Sequence, residues 1–592
     1  MKLVKVDLED RSYELVDLDH IAQDGVLGGR CLGVGLMARN AAVRDPLDPR
    51  SPLVVSVGSL SGTGFPLGNR LTLVFRSPLT GTIAWALTGG YAATDLASLG
   101  YMALYITGRS EELCYLMVTS EGISFVGAER FRGLGAVETC RALKGALGDV
   151  RVLSIGPAGE RQAPVATVIN DSGRSSGVRH GAGAVFGSKN LKAIVIKSGK
   201  RFTRSPAQPL KFAKLLRALR AKVEGSSLLN LQGGRLAVHG TAVAVEALGR
   251  HDAVPVKNYT RTSLPQYELV GGTRLSSTVL VRRLTCSSCQ VSCRRETIGQ
   301  GLRGEGPDCA PISALGTNCV LLDLEKIAYL TQLCYDVGVD PIEAGNTLAV
   351  YAELSEKGLT EERLNWGDWR RMAELIVSMV SNAGVGRVLS MGAHRTAEHY
   401  GDVDAAPTVK GVTVQNTDPR AEPAWGLINA VESYGGAAHI WVYPTLIRSF
   451  GDLGIETVYS DFPDHDVLAT RVHMKRVEVA WLDSLGVCAF SRIAMDRCDY
   501  TEGYSAHYGV EVEDQFLMEA GQKVLTLERQ LNRTYGIGEE ADWLPKRFVE
   551  EPLPDGEHKG SVCPIGELLG SYKRAFREAS VTDLLTALPR IS

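Results

Sequence analysis

Three cysteines lie close together in the segment Cys286-Ser-Ser-Cys289-Gln-Val-Ser-Cys293, and a fourth cysteine, Cys488, lies much further along the chain. Thiols at this spacing cannot easily bridge one another, but they can wrap one compact, soft cofactor. Four thiolates are the ligand set of a [4Fe–4S] cluster and also of a structural zinc ion. The spacing favours the cluster only weakly, and the distinction matters because a cluster would make this an electron-transfer protein.

Two other segments have the pattern of a helix, a glycine and a second helix. Gly338 and Gly486 each follow a helical pattern at the position where a left-handed residue ends a helix. Asp340 suits the N-cap of the next helix, with Pro341 at its first position. Such a junction directs free backbone N–H groups at one point, which favours an anionic ligand. Ordinary helix punctuation explains the same pattern equally well.

The composition sets limits on the class of protein. The chain has 592 residues, 44% of them apolar and 22% charged, with a net charge of -3. This is the composition of a soluble globular protein of roughly two to four domains, and it argues against a nucleic-acid binder, which needs a basic face. No membrane span and no signal peptide are expected. The 12 cysteines are therefore expected to stay reduced in the cytoplasm.

The elements that must position these residues change in character along the chain. Short β-branched or aromatic runs predict strands at 54–57, 71–75, 103–107 and 193–196. Longer helical patterns follow at 210–223, 322–335, 369–382 and 514–531. The sequence therefore predicts an α+β protein with a β-rich N-terminal domain at 1–203 and two mainly α-helical domains at 204–415 and 416–592.

Several segments, taken together, resemble one family of redox enzymes. They are the cysteine triplet and residues 76–81, 88–90, 155–160, 181–193, 418–420, 483–488, 527–532 and 544–548. Each is weak alone, but their separations along nearly the whole chain are similar to those of the aldehyde ferredoxin oxidoreductase family. Its members are tungsten enzymes with two pterins per metal and one [4Fe–4S] cluster.

The resemblance implies roles for individual residues. Cys286, Cys289, Cys293 and Cys488 would hold the cluster. The cofactor-binding residues would be Arg70, Arg76, Thr88, Gly89, Gly90, Arg179, Gly338, Asp340, Asp483, Gly486 and Val487. Arg70 would lie between pterin and cluster, where its fixed fork of donors can bridge acceptors on both sides. A tungsten or molybdenum bis-pterin, with Mg²⁺ between the pterin phosphates, would sit at the junction of the three domains.

The chain departs from the family pattern in the first pterin segment. Tyr335 stands where an aspartate is usual, and Leu87 stands where an asparagine is usual. Asp336 is the nearest carboxylate that could substitute, but one residue along a helix turns a side chain by about 100°. His180, in a glycine-rich loop, has no assigned role.

A larger departure lies near the expected metal, where the segment reads Gly306-Pro-Asp308-Cys309-Ala310-Pro311. Ala310 replaces a family glutamate, and Asp308 could still act as a base. Cys309 is either a small buried residue or a thiolate ligand to the metal. His439 is similar in position to a family histidine, and a neutral imidazole there could move a proton.

Three hypotheses follow for the function. The first is a tungsten or molybdenum oxidoreductase that turns an aldehyde into a carboxylic acid and passes electrons to ferredoxin or a partner subunit. The second is a low-potential reductase of an aromatic or acyl-CoA thioester substrate with Cys309 on the metal. The third is a non-catalytic zinc-binding scaffold. A homodimer and a hetero-oligomer both agree with the sequence.

Overall fold

Two β-sheets form the framework of the first 200 residues. The computed structural model describes residues 1–22, 24–39, 43, 45–171, 179–199, 204–381, 383–436, 438–457 and 464–589. The strands of the first sheet are β1 (Lys2–Asp7), β2 (Ser12–Asp17), β3 (Leu53–Val57), β4 (Leu71–Arg76), β5 (Ile83–Thr88) and β6 (Tyr101–Thr107). Their spatial order is β2-β1-β6-β3-β4-β5. Only β1 and β6 pair in parallel, and the other pairs are antiparallel.

The second sheet follows directly in the chain. Its strands are β7 (Cys114–Thr119), β8 (Gly122–Gly127), β9 (Arg151–Ser154), β10 (Ile169–Asn170) and β11 (Leu191–Ile196), in the order β10-β9-β11-β7-β8. The α-helices of this region are Gly29–Ala38, Ala92–Ser98, Ala136–Leu147, Pro157–Glu160 and Ala182–Ser188.

Helices dominate the rest of the chain. Those between 204 and 415 are Pro209–Gly225, Arg235–His239, Val243–Arg250, Gly272–Thr278, Cys309–Pro311, Leu324–Val337, Pro341–Glu356, Trp369–Ser378, Gly384–Leu389 and Ala393–His399. Those after 415 are Pro423–Val431, His465–Leu485, Arg497–Tyr508, Asp514–Thr534, Lys546–Val549, Ile565–Ala575 and Thr582–Ala587. No described helix is long and apolar enough to span a lipid bilayer.

Two small sheets interrupt this helical part. One contains β12 (Leu280–Leu284), β13 (Arg294–Gly299) and β14 (Leu302–Glu305), and the other contains β15 (Thr408–Val409) and β16 (Val412–Thr413). The β12–β13 hairpin is important for the site because its connection carries the cysteine triplet. The sequence does not predict this sheet, since its strands are rich in arginine and lack an apolar alternation.

The N-terminal and C-terminal parts share one core. The helix Gly29–Ala38 is buried between the first sheet and the helices His465–Leu485 and Asp514–Thr534. At Gly33 a side chain would overlap Val74 of β4. The helix is apolar except for Arg30, whose side chain is also buried, and it fixes β3 and β4 against the C-terminal helices.

The predicted fold class is confirmed, with a β-rich N-terminal region followed by helical regions. All four predicted strands are present. Three of the predicted helices agree with the structure to within three residues at each end, but the fourth ends at Ser378 rather than continuing to 382. The next helix explains this difference, because Gly386 packs directly on the carbonyl of Ser378. Residue 382 and the predicted boundary at 203 lie outside the described residues, and the three domain boundaries stay a prediction.

Candidate cofactor site

The four predicted cluster ligands meet in one place. Cys286, Cys289 and Cys293 lie in the loop between β12 and β13, where Ser288 and Ser292 take left-handed conformations. The pKa of the Cys289 thiol is raised to about 11, first by burial and then by the neighbouring thiols of Cys286 and Cys488. Within the described chain, no three His, Cys, Asp or Glu side chains surround a point closely enough to hold a single metal ion.

Arg70 lies beside this group. Its Nη2 donates a hydrogen bond to Sγ of Cys488 over 2.8 Å. Burial by itself lowers the pKa of this guanidinium, but the nearby thiols of Cys488, Cys286 and Cys293 outweigh that effect and raise it. A fixed cation therefore lies beside the sulfur atoms, which suits the negative charge of a thiolate-bound cluster.

A large cavity begins on the other side of Arg70. About 130 Å³ of it can hold water-sized molecules, and its empty space, counting the part open to solvent, is about 1180 Å³. Eight predicted site residues line it: Arg70, Arg179, Asp308, Asp340, His439, Asp483, Val487 and Cys488. Since Arg70 and Cys488 belong both to its wall and to the cysteine group, the two sites share a boundary.

The second helix junction forms one edge of this cavity. The helix His465–Leu485 ends at Gly486, which has a φ of +74°. A side chain at Gly486 would overlap Ser61, and one at Gly58 would overlap the backbone of Gly486. The Gly486 carbonyl accepts a hydrogen bond from Arg70 N over 2.9 Å. Glycine is therefore required here for two reasons: Gly486 has a left-handed conformation, and the backbones of Gly58 and Gly486 pack directly on each other. The contact between these two segments positions both Arg70 and Cys488.

The first junction forms another edge. Gly338 ends its helix with a φ of +81° and packs against Gly156. Asp340 caps the following helix by accepting from Ile342 N at 3.0 Å, and its other oxygen accepts from Arg179 Nε at 2.6 Å. Arg179 Nη1 donates to Gln415 at 3.0 Å. Both junctions therefore present a carboxylate at the cavity wall.

Arg179 also offers an unused donor to the cavity. Its Nη2 is buried and has no hydrogen-bond partner within the described residues, although the Glu343 carboxylate lies 3.9 Å away. A buried donor without an acceptor costs free energy, so the position suits an acceptor group on a ligand. This unused donor at the cavity wall fits an anionic group of a pterin-type cofactor.

Some of the residues that depart from the family pattern line the cavity, and others do not. Tyr335 and Leu87 both line the cavity. Asp336 does not replace the missing aspartate, because it turns away and accepts a hydrogen bond from Glu138 N at 3.3 Å. His180 also lines the cavity and stacks on Tyr434, with 4.4 Å between ring centroids. Its pKa is held well below the usual value by burial and then by Arg179, so the ring is neutral at pH 7.

Several predicted cofactor residues do not reach the cavity wall. Arg76 donates to the Gly81 carbonyl at 2.8 Å and stacks on Tyr535. Thr88 and Gly89 accept hydrogen bonds from Asn170. The Gly90 carbonyl accepts from Ser287 N at 2.9 Å and so supports the cysteine loop. These are contacts within the protein, and the cofactor roles of the four residues stay predictions.

Cys309 is also outside the cavity lining, although Asp308 and Ala310 on either side belong to it. The thiol is buried, and burial first, followed by the charge of Asp308, raises its pKa to about 12. Thr241 connects the two residues, since its hydroxyl accepts from Cys309 N at 3.2 Å and donates to Asp308 Oδ1 at 3.1 Å. The sequence analysis missed Thr241, which carried no signal in a single sequence.

A buried charge network lies behind the second junction and was also missed. Arg30 donates to both oxygens of Glu528 at 2.7 and 2.8 Å and to Asp483 at 3.3 Å. Its guanidinium stacks on Trp85, 3.8 Å from the ring centroid, and Glu432 lies 3.8 Å away. Burial raises the pKa of Asp483 to about 7, although the charge of Arg30 lowers it. Arg30 thus compensates three buried carboxylates at the cavity edge.

The Arg30→Met substitution is expected to lower the free energy of unfolding by about 3 kcal/mol, because it leaves buried carboxylates without their cation. Anaerobic thermal unfolding measures the effect. The control is Arg132→Met, which removes an exposed ion pair with Glu129 and should change stability by less than about 1 kcal/mol. An equal loss in the free energy of unfolding for the two variants would contradict the role given to Arg30.

Comparisons with known proteins agree with this geometry. A family model described as the N-terminal domain of aldehyde ferredoxin oxidoreductase matches residues 3–198, and one described as its domains 2 and 3 matches residues 215–577. The tungsten-containing aldehyde ferredoxin oxidoreductase of Pyrococcus furiosus is 32% identical over 589 residues, with 96% of this chain and 95% of the relative covered. The protein of the same name from Thermococcus kodakarensis is 32% identical, with 92% and 91% covered.

A solved structure is similar over nearly the same length. It is the active site complex BamBC of benzoyl coenzyme A reductase with 1,5-dienoyl-CoA, with a TM-score of 0.81, 22% identity, and 98% of this chain and 96% of that chain covered. At this identity the likeness shows the fold alone.

Proposed function

The chain belongs to the aldehyde ferredoxin oxidoreductase family, and we propose that it uses a tungsten bis-pterin and a [4Fe–4S] cluster to oxidise an aldehyde to a carboxylic acid. It is an oxidoreductase, as its relatives are. Electrons would leave to ferredoxin or to an iron–sulfur partner subunit. Molybdenum could replace tungsten, because the pterins rather than the chain hold the metal.

The contact between Arg70 and Cys488 carries this proposal. It joins the cysteine group to a cavity that both helix junctions border. A cluster at the cysteines and a pterin in the cavity would then be separated by one guanidinium. This is the arrangement that a two-centre redox enzyme requires, since electrons must leave the substrate site through a nearby carrier.

Particular residues would hold each group. Cys286, Cys289, Cys293 and Cys488 would bind the iron of the cluster. Arg179, Asp340, Asp483 and Val487 would contact the pterins, and Mg²⁺ between the pterin phosphates would offset their charge. When bound, the tungsten bis-pterin supplies the two-electron redox change and Lewis acidity of the reaction.

The chain itself would manage water and protons. Oxidation of an aldehyde consumes one water and releases two electrons and two protons. Asp308 and His439 line the same cavity, and either can accept a proton there. Asp308 keeps a hydrogen bond from Thr241, which holds its carboxylate in place. Trp85, Trp441 and Phe490 in the lining restrict the space left for bulk water.

The reductive hypothesis has one observation in its favour, the similar fold of a benzoyl coenzyme A reductase complex. It requires Cys309 as a metal ligand, and Cys309 lies directly behind the lining residues Asp308, Ala310 and Thr241. The oxidative direction has the better support because the relatives at 32% identity are aldehyde ferredoxin oxidoreductases.

The Cys309→Ser variant separates the two hypotheses. If Cys309 only fills space, the variant should retain its tungsten, and X-ray absorption should count the same sulfur neighbours at the metal as in the unmodified enzyme. The control is Cys319→Ser, a change of another buried cysteine. Loss of one sulfur neighbour in Cys309→Ser alone would support the reductase.

An anaerobic metal and pterin inventory of the purified protein tests the proposal as a whole. We expect iron, acid-labile sulfide, pterin and tungsten or molybdenum, together with dye-linked oxidation of one or more aldehydes. Zinc without iron or tungsten would overturn it in favour of the scaffold hypothesis.

A further inference from the structure

The cysteine group also borders a cleft that is separate from the cofactor cavity. Cys286 and Cys289 line a separate cleft of about 320 Å³, together with Tyr91, Arg220 and Gln290 among others. Of the four cysteines, Cys289 is the one with partial exposure, and the other three are buried. A cluster bound here would therefore be closest to an external electron acceptor along this cleft.

A second cleft adjoins the first and is strongly basic. Its volume is about 470 Å³, it shares Tyr91 with the first cleft, and it includes Thr285, the residue before Cys286. Seven basic residues against three acidic ones line it. The basic residues are Arg141, Lys144, Arg151, Arg282, Arg283, Arg294 and Arg303. Since the whole chain has a net charge of -3, this excess of positive charge is local.

Not all of this charge is neutralised by neighbours. Arg294 pairs with Glu305 at both oxygens, Lys144 pairs with Asp171, and Arg151 pairs with Asp95 and Asp149. Arg282 and Arg303, both exposed, share the single carboxylate of Glu296. Arg141 is exposed and forms no ion pair with any described residue. The cleft therefore keeps a positive potential toward solvent.

The helix Pro209–Gly225 extends this charge over the outer surface. Its apolar side, including Leu215 and Leu219, is buried. Its outer side carries Lys211, Lys214, Arg217 and Arg220, spaced three residues apart along one ridge and all exposed. No ion pair joins these four side chains to another part of the described chain. Arg220, the last of the ridge, lines the cleft next to Cys286 and Cys289.

We propose that the second cleft and the outer face of this helix, together called the basic surface, dock a small acidic protein that carries one electron at a time. This inference rests on the proposed function, because it assumes a cluster at the four cysteines. One electron would pass from the reduced cluster to the oxidised carrier, with no bond made and no proton moved. Complementary charge steers such an encounter and fixes its orientation.

The test uses flavodoxin, an acidic one-electron carrier whose flavin semiquinone has its own visible absorption band. The holoenzyme, reduced with a limited amount of dithionite, is mixed with oxidised flavodoxin in a stopped-flow instrument. The second-order rate constant of the unmodified enzyme should fall as ionic strength rises. In Lys214→Glu/Arg220→Glu it should be about tenfold lower at low salt and depend less on salt.

Two controls make the result specific. Arg363→Glu changes an exposed arginine in the loop before the helix Trp369–Ser378, which lines neither cleft, and it should react like the unmodified enzyme. Reduction of benzyl viologen, a small dye that needs no docking surface, should not be slowed in any variant.

The outcomes separate the docking inference from the proposed function. The docking surface is overturned if the rate constant with flavodoxin is unchanged in Lys214→Glu/Arg220→Glu, or if it falls equally in Arg363→Glu. The proposed function would stand in either case. If sedimentation shows that the double variant dissociates a dimer and the flavodoxin rate is unchanged, the surface binds a second copy instead. A purified enzyme with no iron–sulfur cluster overturns both.

Discussion

Replacing Cys488 with alanine is expected to reduce electron delivery to background while leaving the protein folded. Cys488 is the one proposed ligand that comes from outside the cysteine triplet, and its sulfur accepts the hydrogen bond of Arg70. Without it, the cluster would lose a ligand on the side that faces the cavity. Cysteine thiolates hold the irons of a [4Fe–4S] cluster, so we expect the iron left without its thiolate, or the whole cluster, to be lost.

Iron and acid-labile sulfide content, and the electron paramagnetic resonance spectrum of the reduced protein, measure the loss directly. The matched control is Cys498→Ala, because Cys498 is an exposed cysteine of the same region. That variant should keep its iron and its activity. A Cys488→Ala protein with full iron content and an unchanged spectrum would remove Cys488 from the ligand set, and with it the shared boundary on which the proposed function depends.

The general architecture could be predicted because it depends on local patterns. The junction glycines are an example: Gly338 and Gly486 follow helical patterns, and the left-handed conformation that ends a helix is available to glycine at little cost. Asp340 could be predicted as an N-cap for the same kind of reason, and the structure shows the hydrogen bond to Ile342 N.

Other features depend on contacts between distant segments and could not be predicted in this way. Arg30 and Glu528 are almost 500 positions apart, and nothing local indicates that they pair. Asp336 looked like a substitute for the missing aspartate because it is adjacent in sequence. The structure shows that it caps the helix Ala136–Leu147 instead, which follows from the rotation of about 100° between successive helical residues.

The cysteine loop combines a feature that could be predicted from the sequence with one that could not. Its spacing predicted a shared cofactor, but the hairpin that holds it was not predicted. Arg294, at the first position of β13, pairs with Glu305 of β14 and donates to the Thr285 carbonyl at 3.0 Å. Charged strands of this kind lack the apolar alternation used to recognise strands. The cysteine loop could therefore be predicted from the sequence, but the strands that hold it could not.

Asp308→Asn is expected to lower kcat by about 10²- to 10⁴-fold, the range for loss of a general base, with iron, tungsten and pterin content unchanged. The amide keeps the size of the side chain and can still bond to Thr241, so the cavity should keep its shape. If Asp308 is the base, the acidic limb of the pH profile of kcat/KM should disappear in the variant. Steady-state kinetics with any aldehyde that the enzyme oxidises would measure both effects.

His439→Gln and Asp404→Asn complete the comparison. Asp404 is an exposed acid that pairs only loosely with Lys546, at 3.5 Å, and its variant should be fully active. If His439→Gln removes the acidic limb and Asp308→Asn does not, the imidazole is the base, and Asp308 serves to hold Thr241 in position. Because both side chains line one cavity, burial cannot decide between them. The pH profile can, since each variant removes one titrating group and leaves the other in place.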